Sequence, residues 1–340
     1  MDDLRIWLSK VAEAGELKQI DGANWDLEIG CATALNWAGP NPSALLFDKI
    51  EGYPKGHRVL TGSTSSPKRV ALTFNLPEVD GTAEIINLFR TNLKKWAGSA
   101  DKFRPLWVKS GPVMENVMKG DQVNLLKFPV PRYHEEDGGR YIGTDDMVIM
   151  RDPDGDWINA ATYRVQLHSK NHTGLWMSPG KQGRQIMEKY FKAGKPCPVL
   201  VSCGQDPTLT LAANQEVHYG VSEFDYAGGH RGQPMEVILS ELHRLPMPSH
   251  AELVLEGEIQ PGDVQQEGPF GEFTGYYASS PSKQPVIRVK RVYHRNDPIL
   301  CICAPMRPPG DITFGKCIIK AGMIWDDIER AGLAGVQGVW

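Results

Sequence analysis

Trp157-Ile158-Asn159-Ala160-Ala161-Thr162-Tyr163-Arg164 reads as a strand, and the company it keeps along the chain decides the fold class. Runs at 147–150, 157–167, 198–202, 251–259, 286–293 and 299–303 are short, strand-like and separated by turn residues. That texture indicates a barrel or a curled sheet. Between these runs only 182–192 and 235–242 look helical. Upstream the pattern changes. Leu4, Trp7, Leu8 and Val11 recur at helical spacing behind Asp2 or Asp3 as cap, and Gly15 stands where such a helix would stop. Short apolar runs at 44–47 and 70–74, followed by a helical pattern through Ile85, Ile86, Leu88, Phe89, Leu93 and Trp96, give alternating strands and helices. The expected fold class is therefore α/β (α+β): an N-terminal α/β domain over 1–115, a strand-rich domain over 116–305, and over 306–340 a linker and the start of a C-terminal domain. The linker carries Pro308-Pro309-Gly310, a helix near 318–328 and an apolar end from Gly335 to Trp340.

Within the strand-rich part, Glu267-Gly268-Pro269-Phe270-Gly271-Glu272 places two carboxylates five residues apart. On a regular strand an odd offset sends side chains to opposite faces. Gly268, Pro269 and Gly271 break that regularity, so the chain can fold back and aim both acids at one spot. Two close acids repel when ionised, which makes one of them a candidate proton donor near neutral pH. A hairpin loop with two solvated acids fits the same spacing. Asn159 and Arg164 are also five apart, so a flat strand cannot show both on one face, and a bulge or a ligand wrapping the strand end is required. An arginine beside the acid pair would hold one acid ionised and leave the other protonatable, although a surface cross-strand ion pair also accounts for Arg164 alone.

The 340 residues include 41% apolar and 23% charged residues with net charge −4, which gives no electrostatic case for nucleic acid. Six cysteines (Cys31, Cys197, Cys203, Cys301, Cys303, Cys317) lack paired Cys-x2-Cys spacing, as expected for free intracellular thiols. No apolar run approaches the ~20 residues of a membrane span, and the start carries no basic-then-apolar leader, so a cytoplasmic location is expected. An oxygen-rich set such as Glu223 with Asn159 and a side-chain amide suits Mg2+ or Mn2+ better than zinc. His168 and His172 have zinc-pair spacing but enclose no glutamate, so a turn is the better reading. The segment 228–232 is glycine-rich without the strand-to-helix pattern of a dinucleotide fingerprint.

Together these segments resemble the UbiD family of decarboxylases, which depend on prenylated FMN. The resemblance runs from Leu4-Arg5-Ile6-Trp7-Leu8 with Gly15-Glu16-Leu17, through Ala44-Leu45-Leu46-Phe47-Asp48 and Phe128-Pro129-Val130-Pro131-Arg132-Tyr133-His134, to the Glu267 turn. Its most specific part is the ordered set Asn159, Arg164, Glu223, Glu267 and Glu272.

The resemblance implies that 116–305 is a split β-barrel binding prenylated FMN, with a Glu-Arg-Glu network of Glu267, Arg164 and Glu272. In it Glu272 delivers the proton that replaces the carboxylate, while Arg164 and Glu267 tune it. The modified flavin carries the hard chemistry. The resemblance further implies a divalent metal (Mn2+ or Mg2+) and K+ at the cofactor phosphate, with Asn159 and Glu223 as metal ligands and Gln182 standing where the family has histidine. It also places Thr162, Tyr163, Arg164, Pro179, Gly180, Gln182 and Gly183 along the flavin. The implied reaction is non-oxidative, in principle reversible, decarboxylation of an aromatic, heteroaromatic or α,β-unsaturated acid. Implied partners are a flavin prenyltransferase as cofactor supplier and a homo-oligomer. The family's chains run past this length, so the 340 residues are expected to lack a C-terminal domain and to act weakly alone. Met177, Trp176 and Phe270 are candidates for the apolar pocket wall. Two readings of other classes stay open: a non-catalytic subunit that retains the fold, and an FMN oxidoreductase on a split barrel.

Overall fold

The computed structural model describes residues 3–98, 100–308 and 310–340; the candidate cap Asp2 and Pro309 of the proline pair lie outside them. Asp3 caps the first helix, Leu4–Glu13, its carboxylate accepting from the Ile6 amide at 2.9 Å. The period read from the sequence turns Leu4, Trp7, Leu8 and Val11 inward, onto Ala44, Leu46, Leu60 and Ile299. These belong to a four-stranded sheet ordered Leu17–Asp21, Ala44–Asp48, Arg58–Thr61, Ile299–Cys301. Its outer pairs are parallel and its central pair antiparallel. Every residue of Ala44–Asp48 is buried, as a strand covered on both faces must be. The run 70–74 is not a strand but the end of the helix Pro67–Thr73 with its cap residue Phe74. Its start signals outweigh its β-branched content: the Ser66 hydroxyl accepts from the Arg69 amide at 3.2 Å and Pro67 sits in the first turn.

The large sheet has nine strands among the described residues. Its path runs Arg140–Gly143, Arg164–Leu167, His172–Trp176, Ser282–His294, Leu253–Glu267, Cys197–Cys203, Met147–Arg151, Ile158–Ala161, with Asn116–Lys119 paired to Ser282–His294 off the path. Ile158–Ala161 ends this path while Arg164–Leu167 is next to its other end, yet only Thr162 and Tyr163 separate them in sequence. Six strand spacings in a flat sheet would be about 29 Å. The chain between Ala161 and Arg164 can span only about 11 Å. The sheet must therefore curl until its ends nearly meet, which is the curled, barrel-like sheet expected from the short strands. Side chains alternate accordingly: Val148, Met150, Val199 and Val201 point into one core, while Met147, Ile149 and Leu200 meet the helices Pro207–Ala213 and Glu223–Arg231 on the outside.

The segment 235–242 does not form a helix. Glu236–Leu239 is a strand, antiparallel to Pro246–Pro248 and parallel to Leu106–Trp107. Its β-branched Val237 and Ile238 gain a ladder there, whereas eight residues are too few for a stable isolated helix. Gln182–Lys192 is helical as read. The last helix spans Asp311–Arg330 and packs Ile318, Ile319 and Ala321 against Ile85, Ile86 and Phe89 of the helix Thr82–Ala97. Among the described residues no helix is long and apolar enough to cross a membrane.

Candidate active site

The seam where the curled sheet almost closes is also where its reactive side chains gather. Asn159 lies in the strand on one side of the seam and Arg164 opens the strand on the other, so the break at Thr162 and Tyr163 takes the place of the expected bulge. Thr162 is held by its amide on the Ala213 carbonyl at 3.1 Å and by its hydroxyl on the Asp146 carbonyl at 2.9 Å. The Asn214 amide donates to the same hydroxyl at 3.0 Å. Asn214 escaped the sequence reading because only the fold brings it beside Thr162.

Glu267 is the last residue of the long strand Leu253–Glu267. Gly268 then turns the chain with φ +82°, a conformation that costs glycine nothing. The turn is pinned by its own amides: Gly268 donates to the Gln166 side chain at 3.1 Å and Gly271 to Asp137 Oδ1 at 2.8 Å. Burial, partly offset by the amides of Gly271 and His134, raises the Asp137 carboxyl above its ordinary range.

Both acids reach Arg164. Its Nε and one terminal nitrogen donate to the two oxygens of Glu267, each at 2.8 Å, and the other terminal nitrogen donates to Glu272 Oε1 at 2.8 Å. The guanidinium lies against two rings, 4.7 Å from the centroid of Trp176 and 4.4 Å from that of Phe270. Burial works against its charge, but hydrogen bonding and attraction to Glu267, then attraction to Glu272, prevail and raise the Arg164 pKa above its ordinary value. The two acids are not equivalent. Glu267 is 2% exposed with both oxygens committed to Arg164, whereas Glu272 is 24% exposed, lines the adjoining cavity and, among the described residues, commits only Oε1. A carboxyl with an uncommitted oxygen facing a cavity can carry and deliver a proton; a bidentate one serves as the fixed counter-charge.

The cavity is about 840 Å3, within the range of cofactor pockets, and its walls include Thr162, Tyr163, Gly180, Gln182 and Glu223 beside Arg164 and Glu272. Asn159 stands behind Gln182 and Glu223, its amide nitrogen donating to Gln182 Oε1 at 3.1 Å and Glu223 Oε1 at 2.9 Å. The other Glu223 oxygen accepts from the Ala160 amide at 2.8 Å. Glu223 is 1% exposed at the first turn of its helix, with no ion pair among the described residues. Burial pushes its carboxyl up to about 7, against the pull of the Ala160 and Asn159 hydrogen bonds. A buried carboxylate without a cation, beside two side-chain amides, is a donor set that fits a hard divalent ion.

Pro179 is exposed in the loop before the helix Gln182–Lys192, and Gly180 turns that loop with φ +84°. The Tyr163 hydroxyl accepts from the Gly183 amide at 2.9 Å, and a Cβ on Gly183 would come within 2.7 Å of the Tyr163 ring. Met177 does not line the cavity. It is buried in the barrel core, because it follows Trp176 on the alternate face. His168 and His172 flank the connection between Arg164–Leu167 and His172–Trp176, as read. The glycines of 228–232 lie at the end of the helix Glu223–Arg231 and in its left-handed cap Gly232.

Residues 106–308 match the 3-octaprenyl-4-hydroxybenzoate carboxy-lyase Rift-related domain of the UbiD family, and residues 8–89 match the corresponding N-terminal domain. The chain is 34% identical to a pyrrole-2-carboxylic acid decarboxylase of Pseudomonas aeruginosa, over 99% of its own length and 68% of that protein's. It superposes on the closed form of the vanillic acid decarboxylase of Sedimentibacter hydroxybenzoicus with TM-score 0.88 at 28% identity, covering 97% of this chain and 70% of that one. It also superposes on an evolved dimeric form of the UbiD-class enzyme HmfF from Pelotomaculum thermopropionicum in complex with prFMN, with TM-score 0.84 at 27% identity, covering 97% and 73%. The chain spans 62 to 68% of the length of the curated relatives it matches. With both of its segments matched in order and a relative above 30% identity along nearly its whole length, the chain belongs to the UbiD family.

Proposed function

We propose that this chain decarboxylates an aromatic or heteroaromatic carboxylic acid, without net oxidation, using prenylated FMN held in the 840 Å3 cavity. The observation that carries this reading is the unequal pair of acids on Arg164, one locked and one free toward the cavity. When bound, the modified flavin supplies the electron sink for the bond between carboxylate and ring. This chain's residues do the rest. Arg164 and Glu267 fix the position and charge of Glu272, and Glu272 holds the proton that enters where the carboxylate leaves. Phe270 and Trp176 brace the guanidinium and narrow the space in which water can reach the reacting carbon. Relatives named for pyrrole-2-carboxylic, phenolic and vanillic acids support an aromatic acid as substrate.

In the same reading Asn159, Gln182 and Glu223 would hold Mn2+ or Mg2+, and this divalent ion, together with K+, would supply positive charge for the cofactor's phosphate. The side chain at 182 is an amide, so this metal site relies on oxygen ligands. Thr162, Tyr163, Gly180 and Gly183 shape the wall along the flavin, and Pro179 stiffens the loop that carries Gly180. A flavin prenyltransferase supplies the cofactor, and the active form is a homo-oligomer located in the cytoplasm.

The test is a mass and absorbance spectrum of the flavin bound to protein produced together with a flavin prenyltransferase. Prenylated FMN is the expected species. Unmodified FMN with consumption of NADH would instead make the protein an oxidoreductase. A Glu223→Ala variant should lose divalent metal and flavin together, since it removes the one buried anion of the proposed metal set. Elemental analysis beside flavin occupancy checks this, and full flavin retention would make Glu223 structural.

A further inference from the structure

Asp137 is a buried carboxylate beside the turn that carries Glu272, and neither the Glu-Arg-Glu network nor the metal set uses it. Its two oxygens divide between two segments: Oδ1 accepts from the Gly271 amide at 2.8 Å and Oδ2 from the His134 amide at 3.0 Å. Gly271 directly precedes Glu272, so the first of these bonds fixes the backbone from which the proposed proton donor projects. Three further contacts join the same segments. The Gly138 amide donates to the Pro269 carbonyl at 2.8 Å, and the Glu136 amide to the Tyr277 hydroxyl at 3.0 Å. The His134 ring lies so close to Gly271 that a Cβ there would come within 2.3 Å of its Cδ2. That ring is held in turn, its Nε2 donating to the carbonyl of Pro305 at 2.7 Å, and Pro305 belongs to the cavity wall. The stretch 134–138 therefore grips the turn before Glu272, at 269 and 271, and after it, at 277. A carboxylate suits the centre of such a grip, because it accepts on both oxygens and its bonds to amides are charge-assisted.

We propose that Asp137 is a positioning residue for the proton step: through the Gly271 amide it orients the turn so that the Glu272 carboxyl meets Arg164 with one oxygen and the cavity with the other. This rests on the decarboxylase reading and adds to it a residue that lies outside the cavity wall. Arg164 holds Glu272 by a single 2.8 Å bond at the tip of the side chain, which leaves the backbone end to be fixed by something else. Asp137 supplies that second point. Without it the carboxyl can swing about its one bond to Arg164, and a misplacement of about 1 Å at a reacting group is enough to cost on the order of 100-fold in rate.

Two variants test this in the flavin-loaded full chain. Asp137→Asn keeps the size of the side chain but offers one acceptor instead of two, so a donor faces one of the two amides. Gly271→Ala disturbs the same junction from the other side without touching a charge. Each is assayed with pyrrole-2-carboxylate and phenolic acids, in the parent and in a Glu272→Gln background, with circular dichroism as the check on folding; if one variant does not fold, the other carries the comparison. Each should lower kcat roughly tenfold with KM within about twofold of the parent's. In the Glu272→Gln background neither should cause a further loss, because the effect runs through Glu272. Equal losses in both backgrounds, or a kcat close to the parent's, overturn the proposal. Amide hydrogen exchange at Gly271 reads the anchor without turnover: it should be roughly tenfold faster in Asp137→Asn while the strand Cys197–Cys203 exchanges as before. A parent that decarboxylates none of the acids removes the decarboxylase reading, and the exchange result then decides the anchor by itself, an unchanged rate at Gly271 overturning it.

Discussion

Glu272→Gln should retain the fold and the flavin yet lose roughly two or more orders of magnitude in decarboxylation rate, the effect of deleting a positioned proton donor. The amide is nearly isosteric and its oxygen can still accept from Arg164, so the Arg164–Glu267 pair keeps both of its 2.8 Å bonds. What disappears is the proposed proton-delivering carboxyl, whose second oxygen has no hydrogen bond among the described residues. Single-turnover kinetics with a full flavin complement distinguishes the step: the loss should sit in the rate of product formation and not in substrate affinity. A rate close to the parent's would take Glu272 out of the chemistry and leave it as a second clamp on Arg164.

Arg164→Met should be the most damaging change to the folded state at this site. Glu267 is 2% exposed and both of its oxygens lie on Arg164, so the substitution strands a buried carboxylate. Breaking a buried pair in this way costs about 3 to 5 kcal/mol. The methionine preserves part of the packing on Trp176 and Phe270, which lie within 4.7 Å and 4.4 Å of the guanidinium, so loss of contact contributes the smaller share. Urea unfolding gives the number, and the double variant Arg164→Met/Glu267→Gln should recover most of it. Failure of the second change to restore stability would mean that packing, and not the stranded charge, dominates.

How much of this was legible depended on the distance over which each signal acts. The helices Leu4–Glu13 and Gln182–Lys192 carry their whole pattern in adjacent turns, and the glycines and proline after Glu267 announce a reversal that aims two acids together. The helix at Pro67–Thr73 was just as local, since Ser66 and Pro67 spell its start, but the apolar run behind them masked it. Glu236–Leu239 is a strand because it pairs with Pro246–Pro248, a proline-flanked segment that does not itself read as a strand, and with Leu106–Trp107, which no window around residue 237 contains. The offset of five between Asn159 and Arg164 looked like a difficulty for one strand, and it is resolved by closing a sheet whose ends are far apart along the strand order. Asn214, Lys316 and Lys320 reach the cavity only through tertiary packing, so sequence spacing held no sign of them.

The most direct test is decarboxylation by the prenylated-FMN-loaded chain in deuterium oxide, with pyrrole-2-carboxylate and a panel of phenolic acids, following carbon dioxide release and the isotope content of the product. The account predicts one equivalent of carbon dioxide and one deuterium at the carbon that carried the carboxylate, with both signals strongly reduced in Glu272→Gln. Full occupancy by the modified flavin with no carbon dioxide from any acid would contradict it, and would leave the chain a cofactor-binding but non-catalytic member of its family.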